Sequence, residues 1–505
     1  MIKNLIDYLE NSSKRFKDKI AIEDKNTKLS FKKLVEKSKV IGCLILKSLD
    51  VEKQNQAIVV FLPKSCDLII SFLATLYSGN FYIPLDINSP KKRISKILYN
   101  AKPKILLSKK KYKKKIKETG YKGKIIFIDA IKYKNNKKNK DKLNSIMNLK
   151  IDCDPAYAIP TSGTTGIPKL VLISHRSVID YIEWAKECFA VSNKEIIGNQ
   201  AQFYFDNSTL DIYLMLSTGC KLVIIPEEKF SFPVELINYI NKKKISFIFW
   251  VPSVLINIAN VDALSKTKLK YLKQVLFAGE VMPNKHLNYW RTKYPKVFYS
   301  NLYGPTEITV DCTYYKVLKK FNDNENLPIG FPCKNSNILI LNKRNKLCKI
   351  NEVGQLCVRG TSLALGYYND EKKTNEVFIQ NPLNKSYKEK IYLTGDHVYE
   401  NKSGEIIFVG RKDAQIKHLG YRIELQEIEN EVFHIKEIKN ACALYNFKKK
   451  YIALFYTGNI SGSKIYVNLS KVIPKYMIPT KYFKLTKFPM NSNRKIDKKK
   501  LLKSF

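Results

Sequence analysis

The chain lacks an apolar run long enough to cross a membrane, although 45% of its 505 residues are hydrophobic. Its apolar runs, such as residues 57–62 and 222–225, have the length of buried strands, whereas a membrane helix needs about 20 residues. Residues 1–16 are polar and charged and contain no apolar segment of a secretion signal. We therefore expect a cytoplasmic protein that does not insert into a membrane.

The chain also lacks clustered metal ligands and paired cysteines. Its 10 cysteines and 5 histidines are dispersed, and even the closest cysteines, Cys348 and Cys357, form neither a zinc pattern nor a compact disulfide framework. We expect free thiols in a reducing compartment, and no zinc-type site built from these side chains.

Acidic residues are few beside the basic ones. The chain has 89 Lys and Arg against 45 Asp and Glu, a formal net charge of +44. Such a charge is typical of proteins that bind nucleic acid, but no helix-turn-helix, RRM or zinc-finger pattern accompanies it. The densest lysine runs, residues 109–115 and 132–142, have the composition of solvated loops. An acidic partner is the simpler interpretation, and a basic nucleic-acid-binding protein is the alternative outside the enzymes.

A chain of this length is expected to form two or more domains. Between residues 230 and 307, helical and strand patterns alternate, which predicts βαβ units and a largely parallel sheet. Predicted helices lie at residues 234–240, 254–264 and 286–294, and predicted strands at 245–251, 275–278 and 297–299. Ligands bind at the carboxyl ends of such strands, where residues 249–253, 276–280 and 301–307 fall.

From residue 318 the pattern changes to short strands, at 337–341, 355–359 and 406–409, which predicts a β-rich subdomain. Beyond the charged segment 410–415, a helix at 423–435, strands at 441–445 and 451–456 and a helix at 464–473 predict a small α+β domain. The predicted fold is thus multidomain α/β, with an N-terminal core at residues 1–411 and a mobile C-terminal lid domain at residues 412–505.

A glycine- and threonine-rich loop at residues 161–169 reads TSGTTGIPK and separates two apolar strands. Its glycines, hydroxyls and lysine suit phosphate oxygens. It is not a Walker A loop, because its glycines are too close together and Pro168 precedes Lys169. Taken alone, a flexible surface turn explains it equally well.

Four further segments carry chemistry-bearing side chains. Residues 303–307 (YGPTE) combine an aromatic ring, a hydroxyl and a carboxylate suited to Mg²⁺, and residues 392–396 (YLTGD) add a carboxylate suited to ribose hydroxyls. Residues 410–424 form a long charged segment at the predicted boundary, and residues 493–497 carry Lys495. Taken alone, residues 303–307 could form a tight turn with a capping glutamate, Asp396 is more simply a turn residue, and Lys495 is a solvated surface charge.

In combination and in order, these segments resemble the adenylate-forming superfamily, in particular the amino-acid adenylation domains of nonribosomal peptide synthetases and the stand-alone D-alanine:D-alanyl carrier protein ligases. Residues 29–34 (LSFKKL), 79–86 (GNFYIPLD), 354–367 (GQLCVRGTSLALGY) and 474–479 (PKYMIP) extend the resemblance over nearly the whole chain. It implies an ATP-dependent ligase that forms an aminoacyl-adenylate and passes the aminoacyl group to the phosphopantetheine thiol of a separate carrier protein. An acyl- or aryl-CoA ligase is the alternative enzyme.

The resemblance implies ATP and Mg²⁺ as cofactors and assigns residues to them. Catalytic roles fall on Lys495, Thr306 and Glu307, of which Glu307 binds the metal, and Asp413 is the hinge between domains. The cofactor-binding residues it implies are Thr161, Ser162, Gly163, Thr164, Thr165, Gly166, Lys169, Asn301, Tyr303, Asp396 and Arg411. The sequence departs from the family pattern at Leu170, Gln355 and Arg494.

For the substrate, the resemblance implies that Asp206 binds the ammonium of an amino acid, although an aspartate that caps a helix is the alternative. The other implied pocket residues are Asn207, Leu210, Phe249, Leu276, Ala278, Leu302, Val310 and Asp311. Of these, Leu276, Ala278, Leu302, Val310 and Asp311 are similar to the pattern of serine-activating domains, while the stand-alone length is that of the D-alanine ligases. A small amino acid (alanine, D-alanine or serine) is therefore favoured. Because ten residues follow Lys495, we expect the thiol acceptor to be a separate carrier protein or coenzyme A. We also expect a monomer.

Overall fold

A computed structural model describes residues 2–49, 54–131, 137–163, 166–411, 415–447, 449–490 and 496–503. The helices in these ranges are α1 Leu5–Arg15, α2 Phe31–Leu46, α3 Cys66–Tyr77, α4 Lys91–Ala101, α5 Lys113–Glu118, α6 Lys137–Leu149, α7 His175–Cys188, α8 Asn207–Thr218, α9 Pro233–Lys242, α10 Pro252–Asn260, α11 Ala263–Lys266, α12 Asn284–Lys293, α13 Glu371–Val377, α14 Leu425–Phe433, α15 Gly462–Ser470 and α16 Lys498–Lys503.

The strands up to residue 303 are β1 Ile20–Glu23, β2 Lys28–Ser30, β3 Ala57–Val60, β4 Phe81–Pro84, β5 Ile105–Ser108, β6 Lys124–Phe127, β7 Pro155–Thr161, β8 Lys169–Ser174, β9 Ile196–Asn199, β10 Lys221–Ile224, β11 Phe247–Trp250, β12 Gln274–Phe277 and β13 Phe298–Tyr303. Those that follow are β14 Thr313–Lys316, β15 Phe331–Pro332, β16 Ser336–Leu341, β17 Gly354–Gly360, β18 Gly366–Tyr367, β19 Phe378–Gln380, β20 Lys390–Glu400, β21 Ile406–Arg411, β22 Gln415–His418, β23 Tyr421–Glu424, β24 Ile438–Asn446, β25 Tyr451–Gly458 and β26 Lys481–Lys484.

Two large sheets carry most of the N-terminal part. Over the described residues, one has the strand order β15-β14-β13-β12-β11-β9-β10-β1-β2 and is parallel from β13 to β1. The other has the order β18-β8-β7-β4-β3-β5-β6 and is parallel from β7 to β6. The predicted βαβ units and largely parallel sheet are thus confirmed.

Alternation along each strand decides which core its side chains enter. In β11, Phe247 and Phe249 belong to the largest core, which also takes buried residues from the second sheet and from helices α1, α2, α3, α7 and α8. Their neighbours Ile248 and Trp250 belong to a separate core with α9, α10 and α12. Burial on both faces explains why this strand reads as a continuous apolar run.

The predicted β-rich subdomain is confirmed as an antiparallel sheet of order β16-β17-β20-β19, with β21 paired to β20. It delivers Asp396 on β20 opposite Arg411 at the end of β21. No helix in the part of the chain that the structure describes is both long and apolar enough to cross a bilayer.

The C-terminal elements begin with the hairpin β22–β23, followed by α14, the sheet β24-β25-β26 and α15. Their buried residues, from Ile416 to Ile478, form a core of their own. The boundary between residues 411 and 412 stays a prediction, because residues 412–414 lie outside the described ranges.

Three sequence predictions of helices need correction. The helix predicted at 423–435 begins at Leu425, because Ile423 and Glu424 pair with β22 in the hairpin. The helix predicted at 254–264 is two helices, α10 and α11, separated where Asp262 adopts a left-handed conformation with φ of 49°. The helix predicted at 464–473 ends at Ser470.

Candidate active site

The segment after β13 turns back sharply beside the carboxyl ends of the parallel strands. A Cβ atom on Gly304 would lie 2.4 Å from the carbonyl oxygen of Val310 and 2.6 Å from the Cα atom of Asp311. No side chain fits at such distances, so glycine is required here. The turn brings Thr306 and Glu307, both buried, to the edge of the sheet where ligands bind in folds of this kind.

Most of the residues predicted for the amino-acid pocket converge in the largest core. Phe249 on β11 and Leu276 on β12 are direct partners across parallel strands, so their side chains lie on the same face of the sheet. The pocket residues that belong to this core are Leu210, Phe249, Leu276, Ala278, Leu302 and Val310. Large apolar side chains on three adjacent strands therefore line this face of the sheet.

Asp206 directly precedes α8, yet its side chain makes no capping hydrogen bond to the helix. The carboxylate instead lies among groups of the site. Burial raises its pKa, while a hydrogen bond from Thr306 and the charge of Lys417 act in the opposite direction. The neighbouring Asn207 is partly buried at the first position of α8. Asp206 thus makes no side-chain capping bond to α8, and its role in binding the amino acid stays a prediction.

Asp311 is a second carboxylate on the pocket side. It is 2% exposed, and its Oδ2 atom accepts a hydrogen bond of 2.7 Å from the hydroxyl of Tyr181. Burial raises its pKa to about 7; the hydrogen bond from Tyr181 lowers the pKa and the nearby charge of Asp206 raises it. Asp311 can therefore be protonated near neutral pH and either donate or accept a hydrogen bond.

Two of the residues predicted to bind adenosine, Tyr303 and Arg411, meet at a third, Asp396. Arg411 donates to its Oδ1 atom over 2.7 Å, and the hydroxyl of Tyr303 donates to Oδ2. Asn301, on the same strand as Tyr303, donates over 2.8 Å to the carbonyl oxygen of Pro328. The ammonium of Lys417 lies over the ring of Tyr303, 5.5 Å from its centre. A carboxylate retains free lone pairs after two such bonds, so Asp396 can still accept from ribose hydroxyls.

The glycine-rich loop connects the antiparallel strands β7 and β8. A Cβ atom on Gly163 would lie 2.3 Å from the carbonyl oxygen of Ile167, which explains a glycine at this position. Thr161 and Ser162 are buried, and Ser162 donates over 3.0 Å to the carbonyl oxygen of Arg422. The hydroxyl of Thr161 has no hydrogen-bond partner among the described residues. Buried donors without partners are costly, and a phosphate oxygen would satisfy this one.

Glu307 is the most enclosed charge of the site, with no exposed surface. Its Oε2 atom lies 2.6 Å from the guanidinium of Arg422, and its Oε1 atom accepts 2.8 Å from the hydroxyl of Tyr367. Burial raises its pKa, but the charges of Arg422 and Lys169 and the bond from Tyr367 outweigh burial and bring the pKa to about 2. Lys169 lies over the ring of Tyr367, 5.1 Å from its centre.

Glu307 has the donor chemistry that Mg²⁺ prefers, an ionised carboxylate. The guanidinium of Arg422, 2.6 Å from the Oε2 atom, however, already neutralises this carboxylate, and its positive charge would repel a divalent cation. The site therefore fits a metal at Glu307 only once Arg422 has moved away. In the described part of the chain, no three His, Cys, Asp or Glu side chains cluster as a metal site.

The hairpin β22–β23 enters the site from the C-terminal elements. Lys417 and Arg422 are directly opposite each other in its register, so both side chains lie on one face. The next pair, Ile416 and Ile423, faces the C-terminal core. The two neighbouring cations are tolerated because carboxylates of the large domain surround them. Burial lowers the pKa of Lys417, and Asp396 is the strongest of the charges that oppose this effect.

Sequence reasoning missed Lys417, Arg422, Tyr181 and Tyr367. The signal for the first two was present, because Ile416–Lys417 and Arg422–Ile423 alternate as hairpin strands do. Of the predicted site residues, Thr164, Thr165, Asp413 and Lys495 lie outside the described ranges, as does Arg494.

Residues 9–368 match the family of AMP-binding enzymes, and the chain belongs to that family. The predicted membership of the adenylate-forming superfamily is thereby confirmed. Tyrocidine synthase 1 from Brevibacillus parabrevis is 29% identical over 505 residues, which covers 99% of this chain but 45% of that protein. The chain thus spans less than half of this relative.

Solved structures of the same fold include adenylation domains and a CoA synthetase. The Vibrio cholerae adenylation domain AlmE, in complex with glycyl-adenosine-5'-phosphate, has a TM-score of 0.85 at 18% identity and covers 100% of this chain and 98% of its own. Holo-PA1221, a nonribosomal peptide synthetase protein with adenylation and PCP domains, gives 0.85 at 20% identity, covering 99% and 84%. The o-succinylbenzoate CoA synthetase MenE from Bacillus subtilis gives 0.83 at 18% identity, covering 99% and 98%.

Proposed function

We propose that this enzyme activates a small amino acid as its adenylate and transfers the aminoacyl group to the phosphopantetheine thiol of a carrier protein. The observation that carries the proposal is the position of Asp206, whose side chain makes no capping hydrogen bond to α8 and lies beside Thr306 and Lys417. A carboxylate there suits the ammonium of an amino acid and would be a poor neighbour for a fatty-acyl chain.

The pocket limits the substrate to a small side chain, and we favour alanine, D-alanine or serine. Phe249, Leu276 and Leu302 are large apolar side chains on one face of the sheet. Asp311 supports serine, because its carboxyl group can exchange a hydrogen bond with a hydroxyl. The glycyl-adenylate held by AlmE, which has the same fold, is in keeping with a small substrate.

In the first half-reaction, a carboxylate oxygen of the amino acid attacks the α-phosphorus of ATP, and pyrophosphate leaves. Attack brings two anions together, so the protein acts by positioning them and neutralising their charge. We assign the pyrophosphate to the loop at residues 161–169, the adenosine to Asn301, Tyr303, Asp396 and Arg411, and the α-phosphate to Thr306 and Lys495. When bound at Glu307, Mg²⁺ would supply further neutralisation of phosphate charge.

The second half-reaction accounts for the arrangement described here. We assign this arrangement to thioester formation, since the hairpin brings Lys417 beside Tyr303 and Asp396 and brings the charge of Arg422 onto Glu307, where it opposes a metal. The Nε atom of Arg422 is a buried donor without a partner among the described residues. In this step the thiol sulfur attacks the acyl carbon and AMP leaves, so cations near the phosphate stabilise the leaving group. Adenylation then requires residues 412–505 to rotate about Asp413 and bring Lys495 in.

The proposed reaction also implies a partner protein and a cellular compartment. PA1221, which shares the fold, combines adenylation and PCP domains in one protein, and a carrier is accordingly the thiol acceptor we propose. The net charge of +44 would attract an acidic carrier over distances set by ionic strength. We place the reaction in the cytoplasm, and the active unit as a monomer.

An ATP–pyrophosphate exchange screen over amino acids of both configurations tests the proposal. We expect exchange with alanine, D-alanine or serine and little with bulky amino acids. The fold shared with MenE makes an acyl- or aryl-CoA ligase the second candidate. Exchange driven by aryl or fatty acids, with none from any amino acid, would replace the proposal by that candidate.

A further inference from the structure

A group of ion pairs joins helix α4 of the large domain to helix α14 of the C-terminal elements. Arg93 and Glu427 are both nearly buried and lie 2.6 Å apart. One turn further along α14, Glu431 binds two lysines of α4, Lys92 over 2.9 Å and Lys96 over 2.8 Å. The side chain of Glu431 is 4% exposed, whereas that of Lys96 is 29% exposed. The five residues form the α4–α14 cluster.

Lys96 differs from the other cations of the cluster because it also binds the glycine-rich loop. Its ammonium donates over 2.8 Å to the carbonyl oxygen of Gly166 while it binds Glu431. One turn further along α4, Asn100 donates over 3.2 Å to the carbonyl oxygen of Pro168. Helix α4 thus holds the second half of the loop at residues 161–169 through two side chains.

This geometry gives Lys96 a charge that depends on where α14 lies. While α14 is docked, Glu431 neutralises the ammonium. When α14 withdraws, the ammonium remains beside the loop through Gly166 and loses its carboxylate. An unpaired cation at a phosphate-binding loop attracts phosphate oxygens. Lys92 has the same carboxylate partner but makes no hydrogen bond to the loop among those the structure shows.

We infer that Lys96 is a positioning residue that couples the polyphosphate affinity of the loop to the docking of α14, so that docking weakens retention of ATP and pyrophosphate. The inference rests on the proposed function, in which this loop holds the pyrophosphate. It predicts that Glu431 acts on ATP affinity through Lys96 and without contact to the nucleotide.

The experiment measures equilibrium binding of ATP and of inorganic pyrophosphate to the full chain, with no amino acid present. Lys96→Met is expected to weaken both by about 3- to 5-fold, the upper part of the range for a partly exposed charge pair, and Glu431→Gln to strengthen both by a similar factor. Lys92→Met is the matched control and should change neither by more than about twofold. In the Lys96→Met background, Glu431→Gln should have no further effect on binding.

Exchanging the charges of Lys96 and Glu431 distinguishes a positioning role of Lys96 at the loop from a role in which their ion pair only stabilises the protein. Lys96→Glu combined with Glu431→Lys restores an ion pair between the helices but places a carboxylate beside the loop. Thioester formation should recover relative to either single variant, while ATP affinity stays low. Recovery of both, or equal effects of Lys96→Met and Lys92→Met on ATP binding, would overturn the inference. Failure of the unaltered protein to bind ATP or pyrophosphate would overturn the proposed function instead.

Discussion

The amino-acid pocket and the phosphate side of the site are held together in different ways. The pocket is lined by apolar side chains from α8, β11, β12 and β13, all within the core of the large domain. On the phosphate side, where Glu307 and the loop at residues 161–169 lie, Glu307 of that domain forms an ion pair with Arg422 of the hairpin. These two residues are far apart in the chain. Packing fixes the pocket whatever the hairpin does, whereas the phosphate side changes when the hairpin leaves.

The largest expected effect tests the pocket. Asp206→Ala should lower amino-acid-dependent exchange by about 100- to 1,000-fold or more, because a buried ammonium without its partner costs about 3–5 kcal/mol. ATP binding, measured separately, should change little. Asp180→Ala is a suitable control. The carboxylate of Asp180, on α7, accepts hydrogen bonds from Asn335 and Thr361 and is not among the residues assigned to the pocket. Normal exchange by Asp206→Ala would place the ammonium site elsewhere.

The next effect tests the hairpin. Lys417→Met should slow thioester formation on the carrier by about 100-fold, the usual cost of one preorganised charge-stabilising group, while exchange falls by no more than a few fold. The difference arises because Lys417 is in the site only in the arrangement we assign to the second step. Lys417→Arg, which keeps the charge, should restore part of the rate. Equal losses in both half-reactions would contradict this division of roles.

A smaller effect concerns the metal. Arg422→Gln frees one oxygen of Glu307, so the protein without nucleotide should bind Mn²⁺, a spectroscopic substitute for Mg²⁺, about 10-fold more tightly. The factor corresponds to a charged hydrogen bond of about 1.5 kcal/mol. Titration followed by electron paramagnetic resonance measures it, and Arg422→Lys should retain the weaker binding of the unaltered protein. If the three proteins bind Mn²⁺ equally, Arg422 and the metal do not compete for Glu307.

The difference between the pocket and the phosphate side also explains which parts of the site could be predicted from the sequence. The pocket follows from local patterns, since strand alternation assigns Phe249 and Leu276 to one face and the resemblance assigns their roles. The hairpin was hidden because its strands are short and the helical spacing of Leu425, Ile428 and Val432 extends the predicted helix back over Ile423.

Contacts between the domains could not be predicted at all. Arg93 and Glu427 are 334 positions apart, and no pattern in either helix indicates which surface it will meet. Their pairing depends on how two independently packed cores lie against each other, and this is a tertiary property that periodicity does not encode.

The smallest expected effect distinguishes two buried aspartates, one in the pocket and one outside it. Burial raises the pKa of both Asp311 and Asp211 to about 7, against about 3.9 in an unfolded chain. Each folded carboxyl therefore binds its proton more tightly, so its stabilising contribution is full below about pH 4 and is lost as the pH rises to 7. The expected slope is about −1.4 kcal/mol per pH unit for each group.

Asp211→Asn and Asp311→Asn should each remove one such slope from the free energy of unfolding, measured with urea between pH 4 and 8. Asp211 accepts from Asn199 and lies near Lys64, away from the substrate. Only Asp311→Asn should therefore also alter the pH dependence of KM for the amino acid, by about two- to fivefold, or roughly 0.5–1 kcal/mol for one hydrogen bond. If both variants leave the KM profile unchanged, Asp311 supports the pocket wall without contacting the amino acid, and the reason to rank serine beside alanine disappears.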